Sequence, residues 1–246
     1  MPDQSEKRKL FKSLIAPSIL LLIIWGIKFY ELTFNADFSN LGILPQTVSG
    51  LKGIFLSPLI HADVSHAFAN SVPLFVLTAA LYYYYGKIAN GIMGLSWLIT
   101  GFWVWVFAKN TGYHIGASGV VYALAAFHFT SGLLRKEPRM MAFSLLVVFL
   151  YGGLIWGIYP DFFPEKNISW QSHLLGLVAG VILAFFYRSD GPQRKKYEWE
   201  DEEDEEADSP EIFSEIEDQD SHDKEKTAGQ EPTVIYHLRK KSNIEE

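Results

Sequence analysis

The sequence predicts an all-α, polytopic membrane protein, a bundle of six transmembrane helices followed by a charged tail. Three observations predict it. Six apolar runs each approach the ~20 residues that a ~30 Å hydrocarbon core demands. None of them alternates as a barrel strand would, and only helices or closed barrels satisfy their own backbone in lipid. Charge, finally, is segregated along the chain: residues 1–197 hold 16 basic and 9 acidic residues, residues 198–246 hold 5 and 19. The net charge of −7 over 246 residues therefore averages two unlike segments and points to no nucleic-acid partner. A single soluble domain of this size does not carry six such runs. Zero cysteine excludes a disulfide framework, thiol catalysis and a zinc site built on sulfur.

The order of elements follows from these runs. A cytoplasmic segment, 1–9, precedes a helical domain at 10–190, and an acidic tail fills 191–246. The first span, 10–30, centres on the run from Ile19 to Trp25. Its apolar core is too long for a signal peptide, and no small-x-small site follows. Further spans are expected at 66–85, 88–108, 118–134, 140–159 and 168–187. The loop 31–65 is apolar but broken by Gly42, Pro45, Gly50, Gly53 and Pro58, which suits a partly embedded surface lobe and not a seventh crossing. Tyr82 to Tyr85, with Trp97, Trp103, Trp105, Trp156 and Trp170, read as interfacial aromatic belts. The tail, with its run from Glu198 to Glu206, is expected to be disordered, with an unknown partner if any.

Orientation follows from lysine and arginine near the span ends. Lys7, Arg8, Lys9, Lys12, Lys87, Arg135, Lys136, Arg139, Arg188, Arg194, Lys195 and Lys196 share one side if the chain crosses six times. Both termini are then cytoplasmic, and the absence of cysteine with a compact six-span core favours a prokaryotic plasma membrane. Lys28, Lys52, Lys109 and Lys166 are the exceptions.

Polar residues at membrane depth carry the functional signal, because each is costly unless paired or hydrated. Counting ~1.5 Å per residue from the cytoplasmic ends, Ser118 lies roughly 24 Å up, His173 roughly 21 Å, Asn70 roughly 22 Å and His66 roughly 28 Å. Three parallel spans thus bring a hydroxyl, an imidazole and an amide to one depth. An imidazole can take the proton of a serine hydroxyl and return it to a leaving amine. Ser118 sits in Gly116-Ala117-Ser118-Gly119 at a helix start, where unpaired amides face any anion beside it. His66 and Asn70, four apart on one face, can add donors to that oxyanion. Tyr122, one turn below Ser118, is placed to hold His173 by ring stacking. No carboxylate lies at this depth, so a Ser-His-Asp triad is not expected. Gly176 and Gly180 share the His173 face and form a small-xxx-small motif that lets helices approach closely.

Taken together, these residues resemble the rhomboid intramembrane serine proteases over residues 10–190. Gly116-Ala117-Ser118-Gly119 resembles the family's G-x-S-G segment, and His173, Gly176 and Gly180 its H-x-x-G-x-x-x-G helix. His61, His66 and Asn70 resemble its H-x4-H-x3-N motif, and Tyr122 stands where the family has a stacking tyrosine. The resemblance implies a rhomboid-like six-helix bundle and a serine endopeptidase that cleaves transmembrane protein substrates near the outer membrane face. Ser118 would be the nucleophile and His173 the general base and acid, with His66, Asn70 and the Ser118 amide as oxyanion hole. His61 would order the adjoining loop, and neither a metal nor an organic cofactor is implied. Ser172 stands where the family has alanine, and the family's tryptophan–arginine pair is missing from the 31–65 loop.

Other readings of the same residues compete. Ser118 alone would be a helix N-cap, and His173 alone a helix–helix hydrogen bond. His128 would face a polar neighbour without chemical duty, and His114 would be a solvated loop residue rather than one that lines the entrance to the site. A catalytically silent rhomboid-like scaffold that binds transmembrane helices is the main alternative. The Ser118 and His173 pair speaks against it. A histidine-relay transporter is disfavoured by the lack of any carboxylate at depth and of inverted halves.

Overall fold

A computed structural model describes residues 4–109, 112–136, 138, 141–143, 145–146 and 169–191. Most of the fifth expected span, 140–159, falls outside these residues, and so does the acidic tail beyond residue 191. Regular structure among the described residues is helical throughout, with one isolated bridge pairing Ile43 and His114. The long helices are α1 (Gln4–Phe34), α3 (Val64–Tyr85), α4 (Ala89–Phe107), α5 (Ser118–Leu134) and α6 (Trp170–Phe186), and a four-residue turn, α2 (Gly53–Leu56), lies in the first loop. Among the described residues, two helical stretches are long and apolar enough to cross a membrane, Gln4–Phe34 and the 44 residues Val64–Phe107 that contain α3 and α4. At 17 residues each, α5 and α6 are roughly 25 Å long, a few ångströms short of the hydrocarbon thickness.

Helix α1 reaches further than the expected 10–30 because its polar first turns find partners. Glu6 accepts the Tyr83 hydroxyl at 2.7 Å, and Lys9 lies 4.5 Å over the Tyr83 ring. One stripe, Ser13, Pro17, Ile24, Lys28 and Glu31, is buried, and α1 packs against α3. Trp25 adds a 3.0 Å hydrogen bond to Ser71 across that seam. The rest of α1 exposes Leu10, Phe11, Ile15, Ile19, Leu22, Phe29 and Leu32, as a helix bathed in lipid should.

The chain turns from α3 to α4 at Gly86, whose φ of +46° suits glycine. Helix α5 contacts α3, α4 and α6 and is buried on nearly every face from Gly119 to Phe127, which makes it the centre of the bundle. Close approach of α6 is encoded in three glycines. A Cβ on Gly176 would strike the Gly119 carbonyl, and one on Gly180 would strike the Ala123 carbonyl. Gly119 in turn has Thr100 and Ser172 against it. At the far end of α5, Arg135 donates to the carbonyls of Tyr187 (2.7 Å) and Asp190 and to the Ser131 hydroxyl, closing the α6 C-terminus with a cation.

The 31–65 loop is a lobe of short helical turns laid against α4. Its Gly53 contacts Gly42 backbone to backbone, with no room for a side chain, and Ile54 packs onto Gly101 of α4. Two of the expected belt tryptophans also hold the lobe: Trp105 donates to Thr47 O at 2.8 Å and Trp97 to Phe55 O at 3.2 Å.

Candidate active site

Helix α5 begins with Ala117 at its cap position, and no side chain caps it. The N-cap reading of Ser118 is therefore overturned: Ser118 is the first helical residue, and its hydroxyl turns to α6. There His173 Nε2 lies 2.8 Å from Ser118 Oγ. The glycine contacts of α6 with Gly119 and Ala123 bring the two helix axes close enough for an imidazole to span the gap. Tyr122 stacks on the His173 ring, with centroids 4.3 Å apart and planes 12° from parallel. That contact limits rotation of the imidazole about χ2. Ser172 is accommodated by Gly119, where any side chain would meet its hydroxyl.

The other wall is α3. Asp63 caps it by accepting the His66 amide at 2.7 Å, which fixes the turn that carries His66. The His66 ring lies against Gly116, whose φ of +110° and lack of Cβ both permit the contact. One turn along, Asn70 is buried and donates to His66 O at 2.9 Å. An amide has two N–H donors, so one such bond leaves capacity for a second.

His61 sits under the start of α5. It is 2% exposed, meets the His66 ring edge-on at 5.1 Å, and its Nε2 accepts the Ala117 amide at 3.3 Å. Burial first, and the nearby His66 second, push its pKa down to about 3, so the ring is neutral and free to accept. Gly116 donates to Ser57 O at 2.8 Å, a second tie between the lobe and the segment before Ser118. The amides that open α5 have no intrahelical carbonyl to reach, so they are donors left over at the helix start that carries Ser118.

Two histidines behave differently from one another. His128 is buried in α5 with Nε2 3.1 Å from Leu77 O, the polar neighbour expected of it. His114 is not the solvated loop residue that the sequence suggested. It is 8% exposed, exchanges two backbone hydrogen bonds with Ile43, and places Nδ1 2.5 Å from the Ser169 hydroxyl that caps α6. Burial lowers its pKa. One pairing of polar residues went unread in the sequence: Lys28 and Glu31 form a buried ion pair at 2.6 Å. Opposite charges at i and i+3 in the last turns of an apolar run were the available signal.

The sequence has counterparts among known proteins. Residues 48–190 match the model of the rhomboid domain, more than half of the chain, and the protein belongs to the rhomboid family, which is membrane-embedded. Among its relatives is an uncharacterized protein of Mycobacterium tuberculosis, 35% identical over 160 residues, or 63% of this chain and 65% of that protein. The candidate rhomboid protease YdcA of Bacillus subtilis is 28% identical over 128 residues, 52% of this chain and 62% of its own. Rhomboid-related protein 2 of Mus musculus is 27% identical over 135 residues, 52% of this chain and 45% of its own. The chain thus spans a little under two thirds of the mycobacterial relative.

Proposed function

We propose that this protein is an intramembrane serine endopeptidase that cleaves transmembrane protein substrates near the outer membrane face. It would cross the bilayer six times, with both termini in the cytoplasm, and reside in a prokaryotic plasma membrane. The observation that carries the reading is the 2.8 Å contact of Ser118 Oγ with His173 Nε2 inside a bundle of apolar helices. Such a pair is nucleophile and base within hydrogen-bond reach, with Tyr122 as the group that orients the base.

His173 Nε2 takes the Ser118 proton as Oγ attacks the scissile carbonyl carbon. The carbonyl oxygen becomes an oxyanion, received by the Ser118 amide, His66 and Asn70. The imidazolium then protonates the leaving amine, and the peptide bond breaks to leave an acyl ester on Ser118. Water, deprotonated by His173, attacks that ester, and the serine regains its proton. The flat ring of Tyr122 keeps the imidazole aligned through both transfers. No step calls on a cofactor. A silent scaffold has no use for a hydroxyl poised on an imidazole, and this counts against that alternative.

The test is labelling of the purified protein by a fluorophosphonate probe, with cleavage of a model transmembrane substrate beside it. Wild type should label and cleave, and Ser118→Ala should do neither. Unchanged cleavage by Ser118→Ala would remove Ser118 from the chemistry.

A further inference from the structure

Lys28 and Glu31 occupy the last turns of α1 and are only 6% and 7% exposed. The Lys28 ammonium lies 2.6 Å from Glu31 Oε2 and donates to the His61 carbonyl at 2.6 Å, with the Ala62 carbonyl 3.5 Å away. The other Glu31 oxygen, Oε1, accepts the Phe38 amide at 3.1 Å. One buried pair therefore grips the 31–65 lobe at both ends, at Phe38 where the chain leaves α1 and at His61 where it approaches α3. His61 is also the residue whose ring accepts the Ala117 amide at 3.3 Å. The contacts run without a break from the Lys28 ammonium to the His61 carbonyl, from the His61 ring to the Ala117 amide, and one peptide further to Ser118.

A buried ion pair is a poor way to add stability, since apolar residues of like volume commonly do as well or better. It does fix direction. A full positive charge aimed at one carbonyl sets the position of that peptide, and the ring on the same residue is set with it. The site needs this, because Ala117 begins α5 with no side-chain cap of its own. We propose that the Lys28–Glu31 pair is a positioning device that, through His61, holds the Ala117–Ser118 backbone against the oxyanion of the reaction. The proposal rests on Ser118 being the nucleophile. Neither Lys28 nor Glu31 takes part in proton transfer or touches substrate. Lys28 also ceases to be an exception in the distribution of basic residues, since its charge is neutralised inside the fold.

The experiment uses the full chain in detergent and compares wild type with Lys28→Met/Glu31→Leu, which removes the grip without leaving a lone buried charge. Fluorophosphonate labelling rate, kcat and KM on a model transmembrane substrate, and thermal melting are read together. The double variant is expected to melt within a few degrees of wild type. Its labelling rate and kcat should fall by between about tenfold and a hundredfold while KM holds, because a small displacement of reacting groups acts on the chemical step. A folded double variant that labels at the wild-type rate overturns the proposal. Should the double variant not melt cooperatively, Lys28→Arg decides. It keeps the charge pair but places a larger planar head against the His61 carbonyl, so labelling several-fold slower supports the device and an unchanged rate overturns it. A wild type that never labels is a separate result: it removes the serine-nucleophile reading, and this proposal falls with it.

Discussion

At Ser118 two duties common to helix-start serines are separated. A capping serine uses its oxygen on an amide two or three residues ahead, whereas here that position belongs to Ala117 and the Ser118 hydroxyl meets His173. Asn70 shows a related economy, because one N–H anchors it to its own helix at His66 O and the amide as a whole is held rigid. A donor held in advance matters most where charge develops, so Asn70→Ala should lower kcat by roughly 10²–10³ with a much smaller change in KM. Steady-state kinetics on a model substrate check this, and a KM effect alone would move Asn70 into substrate binding. The contacts of His173 with Ser118 and Tyr122 could be read in the sequence because helix rise and period set the depth and face of all three. His114 could not. Its burial comes from pairing with Ile43 and meeting Ser169, which depends on how two irregular segments cross. Lys28 and Glu31 could have been paired from their spacing, but their loop partners, the His61 carbonyl and the Phe38 amide, were hidden for the same reason, since no periodicity dictates the path of that loop.

Between elements, the α5–α6 seam sets the site. Its spacing depends on hydrogen atoms at Gly176 and Gly180, where even a methyl group would enter a backbone carbonyl. Backbone cannot yield as a flexible side chain does, so the helices must part. Gly180→Ala should cost about 1–3 kcal/mol or more and should lower fluorophosphonate labelling as His173 draws away from Ser118. Gly26→Ala is the matched control. Nothing lies within 4 Å of a Cβ there, so the same methyl in α1 should leave melting unchanged or raise it slightly. Equal melting and labelling in the two variants would contradict the close-packed seam. Helix boundaries were legible to within a few residues where apolar runs end in glycine or charge, as at α4 and α5. The start of α1 was not, because Glu6 and Lys9 extend the helix by reaching Tyr83, a partner remote in sequence.

For the whole molecule, the first loop, the segment before α5 and the cap of α6 are joined by buried histidines. His61 accepts the Ala117 amide and His114 meets Ser169. Both have folded pKa values below the ordinary histidine value, His61 at about 3, and in each burial is the leading cause. The sign follows directly. Well above pH 6.5 neither ring holds a proton in the folded or the unfolded chain, and they add no pH dependence. As the pH falls below that value the unfolded chain takes up protons that the fold refuses, so stability declines by about 1.4 kcal/mol per pH unit for each such ring, until the folded pKa is reached. For His61 that window extends down to about pH 3. Asp37, whose carboxyl is held low first by the Ser39 hydroxyl, acts in the same direction only near and below its ordinary value of 3.8, outside the upper part of the window. Melting of the detergent-solubilised protein should therefore be flat from pH 8 to 7 and drop steadily from 6 to 4. His114→Gln keeps a polar partner for Ser169 but cannot be protonated, so its decline should be shallower by up to one proton's worth over that range. A His114→Gln slope equal to wild type would mean that His114 titrates alike in the folded and unfolded chains, and that the contact with Ser169 does not hold the ring neutral.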